Sequence, residues 1–229
     1  MTQLLRLLLL STFVLVALPI HAEEQPERTI VLVRHGAYDS ARVAASGDGP
    51  DLTPLGVAQA KLAGARLAAL PGPWTRILSS TMTRARETAA VIKESMPLVP
   101  LEFTDLLREC TPPETDSPDE ESIKCQQRLD QAFRLYFAPT ARGQKEIFVC
   151  HGNVIRYLVT KALGVDTRSW VSMSVAHASL TVIKVGQAGR ISVLSVGDVG
   201  HIPPNLQSGT TATTPSLSIQ SAEAVPSKP

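Results

Sequence analysis

The sequence predicts an α/β fold, with a mostly parallel central sheet, helices on both faces and a C-terminal antiparallel hairpin. Three observations predict it. Thr29 to Val33 and Glu146 to Cys150 are apolar runs of the kind that strands buried on both faces require. Strand-like segments there alternate with helical patterns, the order that builds a parallel sheet. Ser179–Val185 and Arg190–Val196 instead alternate in polarity around a Gly-containing loop, which reads as a hairpin at the sheet edge. Few aromatic residues and many Ala, Leu and Val suit helices packed on a sheet, and no internal repeat is visible.

At the N-terminus, one positive charge precedes the apolar run Leu7–Ile20, and Ile20-His21-Ala22 fits a cleavage site before Glu23. This reads as a signal peptide over residues 1–22, and hence as export to the periplasm or the medium. The run falls short of the roughly 20 residues that a spanning helix needs. A membrane anchor at residues 4–20 is therefore the alternative. Residues 23–206 then form one domain.

The first strand runs into Arg34-His35-Gly36, and residues 37–51 form a polar loop beside that turn. Thr53 as N-cap and Pro54 at the first helical position open a helix, which ends at Pro71-Gly72-Pro73. Trp74–Ser79 is a third strand, followed by a helix over Thr83–Ser95. Arg84 and Arg86 lie about 200° apart on that helix. Arg84 shares a face with Thr88, and Arg86 points away.

Leu98–Phe103 is expected as a short edge strand, since Pro100 argues against a central one. Ser117 as N-cap and Pro118 at the first position begin a helix reaching Phe137, with Ser122, Cys125, Leu129, Ala132, Phe133 and Tyr136 on its inner face. After His151, Val154, Ile155, Leu158 and Ala162 form a buried stripe that stops at Gly164. Residues 207–229 are rich in Ser, Thr, Ala and Pro and read as a disordered tail.

Ligands of parallel sheets sit beyond the carboxyl ends of the strands, where Arg34, His35 and His151 fall. Arg84, in a first helical turn, adds a fixed cation where the helix dipole already favours an anion. Two histidines and two arginines at one edge indicate a phosphate site. A carboxylate acid could come from Glu102, Asp105, Glu109, Glu114 or Asp116, and composition alone leaves these open. The net charge of +1 gives no basic stripe, so no nucleic-acid partner is expected. No Cys or carboxylate stands at ligand spacing from His35 or His151, so neither a metal nor a cofactor is expected.

Arg34-His35-Gly36, the run Ser80-x-x-x-Arg84-Ala85-x-x-Thr88-Ala89 and Cys150-His151-Gly152-Asn153 resemble the histidine phosphatase superfamily, the phosphoglycerate mutase-like fold. The likeness covers roughly residues 29–206. It is strongest to a mitochondrial member of the phosphoglycerate mutase family that acts as a serine/threonine protein phosphatase. The resemblance implies hydrolysis of phosphate monoesters through a phosphohistidine, on a phosphoprotein or a small phosphate ester. It makes His35 the nucleophile, selects Glu109 as the acid, counts His151 with them as catalytic, and assigns phosphate binding to Arg34, Arg84 and His151. A mutase-type phosphotransferase and a non-catalytic phosphate-binding scaffold are the alternatives. The mutases' Ser-x-x-Asn stretch and Trp-containing loop are missing from Ala37–Arg42.

The family's matching stretch has Asn where this chain has Ala176-His177, so His177 is expected to be an ordinary polar residue. Cys150 matches a family cysteine and is expected as a free thiol. That leaves a Cys110–Cys125 disulfide, with three buried thiols as the alternative. Glu23–Arg28 lacks the relative's Trp-rich assembly motif, and the oligomeric state is left open, a dimer included.

Overall fold

A computed structural model describes residues 27–41 and 48–210. The expected signal peptide and the alternative anchor lie outside the described residues. No described helix is long and apolar enough to cross a membrane. Six strands, β1 (Arg28–Arg34), β2 (Arg76–Ser80), β3 (Leu101–Thr104), β4 (Gln144–Cys150), β5 (Leu180–Val185) and β6 (Ile191–Asp198), form one sheet in the order β3-β2-β4-β1-β5-β6. The first four in that order run parallel, and β5 and β6 run antiparallel. The fold is the mixed α/β one expected, and the hairpin joins the sheet by pairing β5 directly with β1.

Four helices cover the two faces: α1 (Pro54–Ala68), α2 (Thr83–Glu94), α3 (Glu120–Tyr136) and α4 (Gly152–Leu163). Because side chains alternate along a strand, each central strand divides its residues between two cores. Ile30, Leu32, Phe148 and Cys150 pack with Leu129, Tyr136, Ile155 and Leu158 of α3 and α4. Val31, Val33, Ile147 and Val149 pack with Ala63, Leu67, Ala89 and Ile92 of α1 and α2. Both strands therefore read as unbroken apolar runs.

Local signals set most helix ends. Thr53 Oγ1 accepts from Gly56 N–H at 3.2 Å, and Gly164 closes α4 in a left-handed conformation with φ 67°. The start of α3 differs from expectation. Asp119 is the N-cap, its Oδ1 accepting from Ser122 N–H at 2.7 Å, so the helix begins two residues beyond the Ser117-Pro118 signal. A carboxylate cap also complements the positive helix end, and that favours the aspartate. Cys110 and Cys125 are joined by a disulfide, with Cα atoms 5.8 Å apart, and Cys150 is a buried free thiol.

The chain from Gln207 does not leave the domain at once. Gln59 Nε2 donates to Leu206 O at 2.7 Å and Ser208 Oγ at 2.9 Å, and His177 N–H donates to Ser208 O at 2.9 Å. Polar bonds to the Ser208 and Gly209 carbonyls and the Ser208 hydroxyl tie this segment to the domain, and apolar composition does not register such bonds. The remainder of the expected tail lies outside the described residues.

Candidate active site

Parallel register brings the site together. Arg34 pairs with Cys150 and Ser79 with Val149, so β1, β2 and β4 end level, and His35 N–H extends the ladder to Cys150 O at 3.0 Å. His35 and His151 then stand side by side, ring centroids 5.1 Å apart. The turn after His35 lies hard against α1. A Cβ on Gly36 would lie 2.4 Å from Gly56 O, and one on Gly56 2.1 Å from Ala37 O, so neither position accepts a side chain. Gly36 N–H also donates to Thr88 Oγ1 at 3.0 Å, and Thr88 Oγ1 donates to Arg84 O at 2.7 Å, tying the turn to α2.

His35 has its tautomer set at both nitrogens. Nδ1 lies 2.8 Å from Gly36 O, which can only accept, and Nε2 lies 3.1 Å from Arg84 Nε, whose N–H can only donate. The hydrogen is therefore on Nδ1 and the lone pair on Nε2. Burial, then the neighbouring His151, Arg84 and Arg34, hold the pKa well below its ordinary 6.5, and the ring is neutral.

Arg84 stands in the first turn of α2 with Cζ 4.9 Å from the Tyr38 ring centroid. Arg86 is exposed and lies over Phe103, away from the site. Arg34 donates through Nη1 to Val175 O at 2.7 Å and Gly209 O at 2.5 Å, while its Nε has no partner. His151 caps α4, with Nε2 2.9 Å from Ser80 Oγ and Nδ1 unpartnered. Burial and the surrounding Arg84, Arg34, Arg108 and Arg128 keep it neutral as well.

Glu109 Oε2 lies 3.9 Å from His151 Nδ1, and its Oε1 has no partner. Burial raises its pKa against the opposing pull of Arg84 and Arg34. Its loop is clamped on three sides: Glu109 N–H donates to Met82 Sδ at 3.4 Å, Asn153 Nδ2 to Cys110 O at 3.0 Å, and the disulfide reaches α3. The other carboxylates are engaged elsewhere or exposed. Glu102 pairs with Arg76 at 3.0 Å, Asp105 accepts from Thr81 Oγ1 at 2.5 Å, Asp116 pairs with Arg168, and Glu114 is exposed.

Ligand atoms of His35, Glu109 and His151 lie within 4.8 Å of one another. The carboxylate that ligand spacing along the chain did not supply is thus supplied by the fold. Two guanidinium groups, Arg34 and Arg84, flank the cluster and oppose a cation there by like-charge repulsion. The same charges favour an anion. A phosphate-sized anion would also give a partner to Arg34 Nε, and to His151 Nδ1 and Glu109 Oε1 when these atoms carry a hydrogen.

Sequence reasoning missed several residues here. His177 is buried, with its ring centroid 5.4 Å from His35 and its Nε2 unpartnered. It is not an ordinary solvated polar residue, because β5 runs antiparallel to β1 and its start meets the carboxyl end of β1. That pairing was the signal that could have found it. Ser80 and Tyr38 also line the cluster, and Ser208-Gly209 reach it from the C-terminal segment.

A doubly wound sheet whose carboxyl edge carries two neutral histidines between two arginines defines a phosphoryl-transfer protein. The family model described as the histidine phosphatase superfamily, branch 1, matches residues 30–121 and 110–198. The serine/threonine-protein phosphatase PGAM5, mitochondrial, of Homo sapiens is 38% identical over 201 residues, 81% of this chain and 67% of the relative. The Rattus norvegicus protein of the same name is 37% identical over the same shares. Among solved structures, Bacillus stearothermophilus YhfR superposes with a TM-score of 0.64 at 26% identity, over 77% of this chain and 100% of that one. The phosphoglycerate mutase of Plasmodium falciparum gives 0.57 at 26%, over 78% and 95%.

The chain belongs to the histidine phosphatase superfamily, and it is a phosphatase, a hydrolase of phosphorylated substrates. The comparisons correct one expectation. The curated relatives are named as mitochondrial proteins, not periplasmic or secreted ones, and this overturns the export read from the N-terminal apolar run.

Proposed function

We propose that the protein hydrolyses phosphoserine or phosphothreonine monoesters on protein substrates, through a phosphohistidine on His35. The substrate class rests on the relatives named serine/threonine-protein phosphatases. The mechanism rests on one observation, the lone pair of a neutral His35 Nε2 directed at Arg84. In this reading, phosphate enters between Arg84 and Arg34, whose planar, permanently charged forks bind its non-bridging oxygens. His35 Nε2 attacks phosphorus in line while the ester oxygen leaves.

Protonated Glu109 gives its proton to the departing alcohol. Its carboxylate then takes a proton from the water that attacks phosphohistidine, releasing inorganic phosphate and restoring both groups. A raised pKa suits the first of these steps, since the acid must carry a proton when substrate arrives. His151 Nδ1 faces the same group and stabilises the charge that develops.

The test is His35→Ala, with wild-type enzyme quenched during turnover. The variant is expected to release no phosphate, and the wild type to carry an acid-labile, alkali-stable phosphoryl group on His35. Activity surviving in the variant would sink the mechanism. The Plasmodium falciparum neighbour favours a second reading, a mutase. Incubation with 3-phosphoglycerate separates the two: inorganic phosphate or no reaction fits the hydrolase, and efficient conversion to 2-phosphoglycerate fits the mutase.

A further inference from the structure

His177 is held in the cluster by devices that an incidental polar residue does not need. The following residue, Ala178, has φ 53°, the one non-glycine among the described residues at positive φ. A side chain disfavours that conformation, and it is maintained by Ala178 N–H donating to Arg34 O at 3.0 Å and His35 O at 3.2 Å. The ring packs 5.4 Å from His35 and 5.9 Å from Tyr38, centroid to centroid. His177 is only 8% exposed, and its Nε2 is buried with no partner.

A chain of hydrogen bonds points to the nitrogen that carries the hydrogen. Ala37 N–H donates to Gln59 Oε1 at 2.8 Å, so the other end of that amide is its NH2 group. This group donates to Leu206 O at 2.7 Å and Ser208 Oγ at 2.9 Å. Ser208 Oγ thus accepts from Gln59, which leaves its own hydrogen free to be donated to His177 Nδ1 at 3.0 Å. With Nδ1 accepting, the ring hydrogen sits on Nε2, the bare atom. In that tautomer the ring is a neutral N–H donor, buried beside His35, with no protein group to donate to.

We propose that His177 is a third imidazole of the phosphoryl site, donating Nε2–H to a non-bridging oxygen of the bound group, with Gln59 and Ser208 as positioning residues that set its tautomer. This rests on the reading of the His35 crevice as the phosphatase site. Burial and the nearby Arg34 and Arg84 keep the ring neutral, so it adds a directed donor and not a charge. The assignment also gives the C-terminal segment a role. Ser208 orients this imidazole, and Gly209 O takes one arm of Arg34. Gly209 must be glycine, for its φ is +79° and a Cβ there would lie 2.4 Å from His177 Nδ1.

The experiment uses the full chain and inorganic phosphate as the probe. In histidine 15N-labelled wild-type protein, the His177 ring is expected as the Nε2–H tautomer, and its Nε2 resonance should move when inorganic phosphate is added. His177→Ala should weaken both inhibition by inorganic phosphate and kcat/KM by roughly 10- to 100-fold, the cost of one hydrogen bond to a charged oxygen. His177→Asn, which keeps an N–H donor, should recover part of the loss. Ser208→Ala should fall between, and Ser208→Thr should match the wild type.

An Nδ1–H tautomer, or an Nε2 resonance indifferent to phosphate, would overturn the proposal even if the alanine variant failed to fold. So would unchanged phosphate inhibition and turnover in a folded His177→Ala when His35→Ala is inactive. Full activity in His35→Ala would instead refute the reading of the crevice itself.

Discussion

The two ends of the central strands bury charged groups, and they treat them in opposite ways. At the amino end, Glu146 is buried between Arg28, whose Nε lies 2.5 Å from Oε2, and Arg76, whose Nε lies 2.6 Å from Oε1. None of these three side chains is left with a bare buried atom. At the carboxyl end, Arg34, Glu109, His151 and His177 each keep a buried nitrogen or oxygen without a partner. Burial of a polar group costs free energy unless its bonds are made. The same sheet thus meets that cost at one end and leaves it open at the other, where a phosphoryl group would supply what is missing.

The comparison is tested most severely at Glu109, whose proton is needed only by poor leaving groups. Glu109→Gln is expected to slow hydrolysis of alkyl phosphates by about 100- to 10,000-fold, the range for a general acid, and activated aryl phosphates far less. Equal slowing of both, measured as kcat/KM, would move the acid elsewhere. The raised pKa gives the pH dependence its sign. Activity on alkyl esters should fall as pH rises through that pKa and the acid loses its proton.

At the opposite edge, Glu146→Ala strands two arginines, one of them buried, and should destabilise the fold by about 3–5 kcal/mol, as breaking buried pairs does. Denaturant unfolding measures it. His35→Ala, by contrast, should leave stability near that of the wild type while abolishing turnover. A stable Glu146→Ala would mean that the paired edge is ornamental. Arg84→Ala should reduce kcat/KM by about 100- to 1,000-fold, as loss of one preorganised donor does. Arg86→Ala should change it little, its guanidinium lying over Phe103.

What could be read from the chain follows from what was local. The apolar runs ending in Arg34-His35 and Cys150-His151 gave the strands and the shared edge, because parallel pairing needs no detail beyond strand direction. The facing of Arg84 followed from helical geometry. Glu109 could not be chosen among five carboxylates from composition, since its selection depends on the loop clamped by Met82, Asn153 and the Cys110–Cys125 disulfide. His177 was lost for a different reason. The hairpin was foreseen, but its docking onto β1 was not, and that docking brings His177, three residues before β5, against His35. Residues 207–210 escaped because their contacts use backbone carbonyls and one serine hydroxyl, to which hydropathy is blind.

The smallest expected effect reports on the open edge as a whole. His35, His151 and His177 are all held below their ordinary 6.5, the last at about 3, mainly by burial. Between pH 6.5 and the depressed values, the unfolded chain binds protons that the folded chain refuses. Stability is therefore present above pH 6.5 and is lost as pH falls, by roughly 1 kcal/mol per pH unit for each such histidine. Glu109, raised by burial, contributes with the opposite sign, since its folded form takes up a proton before its unfolded form does. Urea unfolding of His177→Gln between pH 6.5 and 5.5 should show a shallower decline than the wild type by about one histidine's share. Inorganic phosphate should offset the decline in the wild type, because a bound anion favours protonated imidazole. Identical slopes in the two proteins would mean that His177 titrates alike in the folded and unfolded chains, and that burial does not hold its ring neutral.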